Sequence, residues 1–292
     1  MIQTDPDRPG PNGGRFTMLG KLFGARAPAP KSGPQFVPMQ AIHLGRVKEI
    51  IEQTDEDDAE EAAESIRERF CEGMFVVEDD GEILGVTGSF TPDDSDGVAW
   101  LSWTYVDEAS RGKGIGKFMV NELLTVLHQQ QVRKLFIATS DYTEDGEDVY
   151  GDARRFYASM GATQELMVPG YHAADESKIV FGMANPQVTH PPLEMGEPPT
   201  GINFDRTGPA PESDSGLALF WSDAQSGVNG LDRLVSRSRH DGVRTLLAVL
   251  PHDYSAIASS ELTRSGFIEH GQLTDYYATD LHQVWWSLKL TD

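Results

Sequence analysis

From about residue 35 to residue 185 the chain alternates between two hydrophobic rhythms. Apolar positions three or four apart predict helices, and alternating apolar positions predict strands. A first strand falls at about 36–41. His43–Gln53 carries Leu44, Val47, Ile50 and Ile51 at helical spacing. Asp57–Phe70 predicts a second helix, with acids in its first turn as the helix dipole prefers. Met74–Val77 and Glu82–Phe90 are β-rich runs separated by Glu78-Asp79-Asp80-Gly81, a hairpin signal. Val98–Val106 is the next strand. Gly114–Gln130 follows as a long helix, with Ile115, Met119, Leu123, Val126 and Leu127 on one face. Arg133–Thr139 (strand), Val149–Met160 (helix) and the strands Thr163–Val168 and Lys178–Met183 complete the series. Strand, two helices, three strands, helix, strand, helix and two strands make a mixed α/β sheet.

The flanking segments have another character. Residues 1–34 are rich in Pro and Gly without periodicity, which predicts a mobile tail. Residues 186–215 are again Pro-rich and read as a semi-rigid linker, with a short strand allowed at Gly201–Arg206. Beyond it the chain repeats itself. Leu123–Ala138 matches Leu234–Val249, 111 positions on, and Ala153–Ala162 matches Ala258–Phe267, 105 positions on. Tyr171 pairs with Tyr276 at the same offset of 105. The order helix, strand, helix, strand, strand is kept. The expected units are therefore a tail at 1–34, a domain at 35–185, a linker at 186–215 and a second, shorter unit at 216–292.

With 39% hydrophobic residues the chain can build a packed core. Acidic residues outnumber basic ones, 46 to 24, for a net charge of −22, a field that repels nucleic acid and anionic membranes. Residues 52–64 and 141–148 are acidic runs of the kind that form solvated faces or loop tips. Cys71 is the only cysteine, so no intrachain disulfide forms and a reducing compartment is expected. No stretch approaches the ~20 apolar residues of a membrane span. The expectation is a soluble cytoplasmic protein; a homodimer is compatible with it.

The most informative motif is Arg111-Gly112-Lys113-Gly114-Ile115-Gly116, between a predicted strand and a predicted helix. Glycines let the backbone turn tightly and approach a ligand. The first amides of a helix lack intrahelical partners, and together with the dipole they suit a pyrophosphate. The nucleotide P-loop is excluded, because position 111 is Arg and Phe118 follows Lys117. The dinucleotide fingerprint is excluded because Lys117 stands at its third glycine. The eight histidines show no HExxH spacing and no Cys/His cluster, so no metal is expected, and no G-x-S-x-G elbow is present.

Arg-x-x-Gly-x-Gly at such a turn resembles the GNAT superfamily of N-acetyltransferases. Two further segments carry the resemblance: Trp100–Gly116 is similar to the family's fourth strand and coenzyme loop, and Ala153–Gly161 to its Ala-x-x-Phe-Tyr-x-x-x-Gly helix. Val168–Met183 resembles the closing hairpin of a small-molecule branch. That branch commonly has Pro-Asp-Phe-Tyr and Gly-Asp-Asp; here stand Pro169-Gly170-Tyr171-His172 and Asp175-Glu176-Ser177, so the acceptor does not carry over. The resemblance implies the GNAT acyl-CoA N-acyltransferase fold, a mostly antiparallel mixed sheet flanked by helices, with acetyl-CoA as cosubstrate. It implies that the sheet splays after the fourth strand and that Thr104, Tyr105 and Val106 pair with the pantetheine arm. The N–H of Val106 would polarise the thioester carbonyl, and Arg111, Gly112, Lys113, Gly114, Ile115, Gly116 and Lys117, with Ala153, would hold the coenzyme. Tyr157 would be the general acid; periodicity by itself makes it a core aromatic. For the base, Asp141, Glu176 and His172 are candidates, each also readable as an ordinary surface residue.

In the second unit the position 111 beyond the glycine turn reads Ser222–Gly227, with one glycine left, and Leu262 replaces Tyr157. A degenerate, non-catalytic GNAT-like half without equivalents of the first three strands is expected. It would pack against the first domain and shape the acceptor pocket. The function expected is acetyl transfer to a small-molecule primary amine, which the acidic balance suggests is cationic. The alternative is an acyl-CoA sensor without turnover.

Overall fold

The computed structural model describes residues 33–193 and 197–291. The expected N-terminal tail lies outside the described residues through position 32. The first half comprises β1 (Gln35–Pro38), α1 (Leu44–Glu52), α2 (Glu56–Glu68), β2 (Met74–Asp79), β3 (Glu82–Phe90), β4 (Val98–Val106), α3 (Ile115–Gln129) and β5 (Lys134–Ser140). A small ribbon of β6 (Thr143–Glu144) and β7 (Glu147–Asp148) follows, then α4 (Gly151–Ser159), β8 (Thr163–Ala173) and β9 (Glu176–Ala184). The second half runs β10 (Gly201–Pro209), β11 (Gly216–Asp223), β12 (Gly227–Asn229), α5 (Leu231–His240), β13 (Thr245–Pro251), α6 (His252–Ser265), β14 (Ile268–Ala278) and β15 (Leu281–Lys289).

Local chemistry accounts for the boundaries that matter. Asp55 caps α2, its carboxylate accepting from the amide of Asp58 at 3.0 Å. Ala59, Ala62, Ala63 and Ile66 form the buried face of that helix. The β2–β3 turn is Asp80-Gly81, both at positive φ, two residues shorter than the sequence signal suggests because β2 continues through Asp79.

Thirteen strands form one sheet in the order β1-β2-β3-β4-β5-β9-β8-β14-β15-β13-β11-β10-β12. Most pairs are antiparallel; β4–β5, β11–β13 and β10–β12 are parallel. The order is nearly symmetric about the β8/β14 seam, running β9, β5, β4, β3 one way and β15, β13, β11, β10 the other. Partner elements keep the sequence offsets: β8 and β14 begin 105 positions apart, as do β9 and β15, while β5 and β13 begin 111 apart. Two expectations need correction. Residues 201–209 are not linker: Ile202 and Phe204 alternate into the core at 0% exposure, and the proline of this strand stands at its end, where no further ladder bond is required. The second half also has a third-strand counterpart, since β10 occupies the place that β3 holds in the first.

The halves share a core at the seam. Val98, Phe136, Leu166, Val168 and Val180 pack in one cluster with Leu247, Leu273, Tyr276 and Trp285. A buried ion pair, Lys134 Nζ to Glu165 Oε1 at 2.6 Å, is tied across the seam by Thr274, whose amide and hydroxyl donate to Glu165 Oε2 at 2.8 and 2.9 Å. Among the described residues no helix is long and apolar enough to cross a membrane.

Candidate active site

β4 and β5 begin as neighbours and then part. Their parallel register holds only for Val98–Trp100 against Lys134–Phe136. Beyond it β4 stays paired to β3, and Ile137–Ser140 of β5 stay paired to β9. A β-bulge drives the separation: β4 carries one extra residue opposite Thr87, and Trp103 has φ +25°. The gap belongs to a cleft of about 1410 Å³. Sites for single drug-sized ligands are about 300–1,000 Å³, so this one has room for two substrates. Polar groups face it. Asp107 N donates to Leu84 O at 3.0 Å, so the next pair, Gly85 and Val106, turns its amides outward, and the N–H of Val106 points into the gap. From β5, Thr139 lines the cleft with a buried hydroxyl that has no partner among the described residues.

At one mouth stands the glycine turn. Gly112 and Gly114 have φ +72° and +85°, and a Cβ on either would meet nothing within 4 Å. Gly114 is the N-cap of α3, with no side chain capping the helix. Among the described residues the amides of 112–117 have no hydrogen-bond acceptor, so the turn is an open row of donors at the positive end of a helix. Of these residues Gly112, Gly114, Ile115, Gly116 and Lys117 line the cleft, and Lys113 does not. Arg111 lines the cleft as well, its side chain held there: Nε donates to Val106 O at 3.2 Å and Nη2 to Thr54 Oγ1 at 2.9 Å, which fixes the end of β4.

Tyr157 of α4, 6% exposed, lines the cleft with Ala153 and Phe156. Burial raises the proton affinity of its phenol, and the Thr104 hydroxyl works against this. It packs with the α3–α4 cluster, whereas Trp103 and Tyr105 pack with the α1–α2 cluster on the other face. The cleft is therefore reached from both faces of the sheet.

The α2 side of the cleft is acidic. Asp57, Asp58 and Glu61 line it from α2, so the acidic run at 52–64 is not wholly a solvated face. Asp58 Oδ2 accepts hydrogen bonds from Tyr105 and Tyr150. Opposite, Glu212 and Asp214 reach in from the β10–β11 loop of the second half, beside His172 and Glu176. That loop is clamped to the first half: Tyr171 donates to Pro211 O at 2.8 Å, Asp214 N to His172 O at 2.7 Å, and Arg244 to carbonyls of Gly170, Tyr171, His172 and Asp214. Glu212 sits at φ +56°, a left-handed conformation that costs a side-chain-bearing residue free energy, and pairs with Lys178 at 2.6 Å. Burial pushes its carboxyl up, yet Lys178 outweighs this and holds it below the usual range. His172 is lowered, by burial and then by Lys178, and its Nδ1 faces Glu212 O at 2.7 Å. Asp141 has both oxygens bound by Ser177, at 2.6 and 2.8 Å, and does not line the cleft.

The sequence from residue 44 to residue 162 matches the acetyltransferase (GNAT) family. The matched stretch runs from the start of α1 to just past the end of α4. No curated protein gives a significant match. Among solved structures, an aminoglycoside 6'-N-acetyltransferase complexed with coenzyme A is similar at 15% identity, with a TM-score of 0.45, covering 54% of this chain and 99% of its own. An aminoglycoside 6'-N-acetyltransferase from Enterococcus faecium is similar at 16% identity and a TM-score of 0.42, over 54% and 99% of the two chains. An alanine N-acetyltransferase of a ribosomal protein from Escherichia coli is similar at 15% identity and a TM-score of 0.42, over 54% and 100%.

The matched stretch contains the open gap; the second half has a closed one. β11 and β13 pair only over Gly216–Ala218 against Thr245–Leu247 and then part, as β4 and β5 do. Here, however, the Trp221 indole donates across to Val249 O at 3.3 Å and packs on Tyr254 at 4.6 Å between ring centres. The corresponding helix α5 starts late, and its N-cap, Gly230, lies beyond the Ser222–Gly227 stretch that the offset aligns with the glycine turn. Added bulk at Gly230 would strike Phe204 O at 2.2 Å, so this glycine serves packing.

Proposed function

We propose that this chain is an N-acetyltransferase carrying an acetyl group from acetyl-CoA to a primary amine of a cationic small molecule, by direct attack with both substrates bound. One observation carries the reading: a gap between β4 and β5 bordered by six amides without a partner among the described residues, with the buried phenol of Tyr157 along its wall. The residues suit the coenzyme. The row of amides from Gly112 to Lys117 is a ready site for a pyrophosphate. The N–H of Val106 is the donor for the oxyanion that develops on the thioester carbonyl. Tyr157, kept protonated by burial, is the acid for the departing thiolate.

The acceptor class follows from charge. Asp57, Asp58, Glu61, Glu176, Glu212 and Asp214 all line the cleft, and Lys178 is the cation paired with one of them. Such a wall attracts an ammonium and repels a carboxylate. The second half acts here as a degenerate GNAT-like unit without catalysis. Trp221 fills its gap, and its contribution is the loop bearing Glu212 and Asp214. Calorimetric titration with coenzyme A, followed by thiol release from acetyl-CoA with polyamines, amino acids and aminoglycosides, tests the proposal. No heat on adding coenzyme A refutes it.

A further inference from the structure

We infer that Asp58 is the general base that takes the proton from the acceptor's ammonium. This rests on the acetyl-transfer reading above. The geometry is specific. Tyr105 and Tyr150 both donate to Oδ2 of Asp58, the second at 2.9 Å. Oδ1 has no hydrogen-bond partner among the described residues, and it is not one of the buried polar atoms sealed from solvent. The two hydroxyls thus hold the carboxylate still and leave one oxygen open in the wall of the cleft.

Most competing candidates are committed elsewhere: Asp141 is saturated by Ser177, His172 is held against Glu212 O, and Glu212 is paired with Lys178. Glu176 also lines the cleft, but among the described residues no side chain orients its carboxylate, whereas two hydroxyls hold that of Asp58. No described cation pairs with Asp58. The groups facing it are Asp55 and Glu61 of α2, Tyr105 of β4, Tyr150 ahead of α4 and Glu212 of the second half. Burial raises its proton affinity, the charges of Asp55 and Glu212 add to this, and the two tyrosine donors oppose it. A carboxylate raised towards working pH is a better base than an ordinary one.

Position completes the argument. Tyr105 packs with the α1–α2 cluster and Tyr157 with the α3–α4 cluster, on opposite faces of the sheet. The acceptor therefore loses its proton on one side of the gap, and sulfur gains one on the other. One ammonium proton passes to Asp58 Oδ1 and on to solvent. The freed lone pair forms the N–C bond to the thioester carbonyl carbon, and the C–S bond breaks as the carbonyl re-forms. The thiolate takes the Tyr157 proton, the new amide nitrogen loses its surplus proton to solvent, and Tyr157 regains one from solvent. The balance is amide, free thiol and one proton released.

The test uses the full chain with acetyl-CoA and three amines: spermidine, lysine and kanamycin. Asp58→Asn keeps an oxygen for the tyrosine hydroxyls. It is expected to lower kcat/KM by about 10²–10⁴-fold at neutral pH while leaving coenzyme A affinity within about twofold. Its deficit shrinks as pH rises towards the pKa of the free amine, which a merely structural role does not produce. Tyr150→Phe removes a donor to the charged form, so the acidic limb of its kcat/KM profile moves to higher pH. Should Asp58→Asn fail to fold, that shift decides alone. Turnover by Asp58→Asn within threefold of the parent, with an unchanged pH profile, overturns the role of Asp58 and leaves acetyl transfer standing. Thiol release with none of the three amines, coenzyme A still binding, overturns both.

Discussion

Gly112 and Gly242 form a matched pair for testing the glycine turn. Each has φ +72°, and at each an added Cβ meets no heavy atom within 4 Å. An alanine at either position therefore costs only the left-handed backbone, about 1–2 kcal/mol. At about 2–4 °C per kcal/mol for a chain of this order, both variants should lose roughly 2–8 °C in Tm. They differ in what lies beyond the methyl. Gly112 lines the cleft, while Gly242 follows α5 in the second half. A methyl at 112 stands where an anion must approach, and losing one hydrogen bond to a charged phosphate costs about 1.5–3 kcal/mol. That is roughly 10- to 100-fold in Kd. Calorimetric titration with coenzyme A on both variants, beside thermal melts, measures the two effects separately. Equal coenzyme A affinities in Gly112→Ala and Gly242→Ala would refute the assignment of the turn.

Three further outcomes are expected. Tyr157→Phe should cut thiol release about 10²–10⁴-fold with coenzyme A affinity kept; unchanged behaviour would point to a sensor without turnover. Glu165→Ala strands the buried ammonium of Lys134 and should cost about 3–5 kcal/mol in urea unfolding, so a loss under about 1 kcal/mol counts against the seam as described. Asp107 is held below the usual carboxylate range by hydrogen bonds from Gln53 and Arg46. A lowered folded pKa stabilises above the ordinary value of ~3.9, and the gain is lost as pH falls through the folded value. Asp107→Asn should therefore be less stable at neutral pH and lose stability less steeply below about pH 4, as acid titration of unfolding will report.

The sequence disclosed what repeats locally and hid what converges from afar. Val98–Val106 was legible to the residue, because alternation and a following turn bound it. The glycine turn was legible because its spacing is local. Asp58, Tyr105, Tyr150 and Glu212 meet from four elements, and no local pattern marks such a meeting. The acidic run hid Asp58 among equals; only the pitch of α2 and the reach of Tyr105 and Tyr150 distinguish it. β10 was obscured by prolines on either side of a short alternating core, and Trp221 looked like one more apolar residue until the gap it closes was visible.

The loop that carries Glu212 comes from the same polypeptide as the cleft it walls, pinned there by Arg244. In enzymes that complete a pocket with a neighbouring subunit, dilution dissolves the pocket. Here the partner is tethered, so this wall is as complete in one molecule as in many. Specific activity should therefore stay flat from micromolar stock to nanomolar assay.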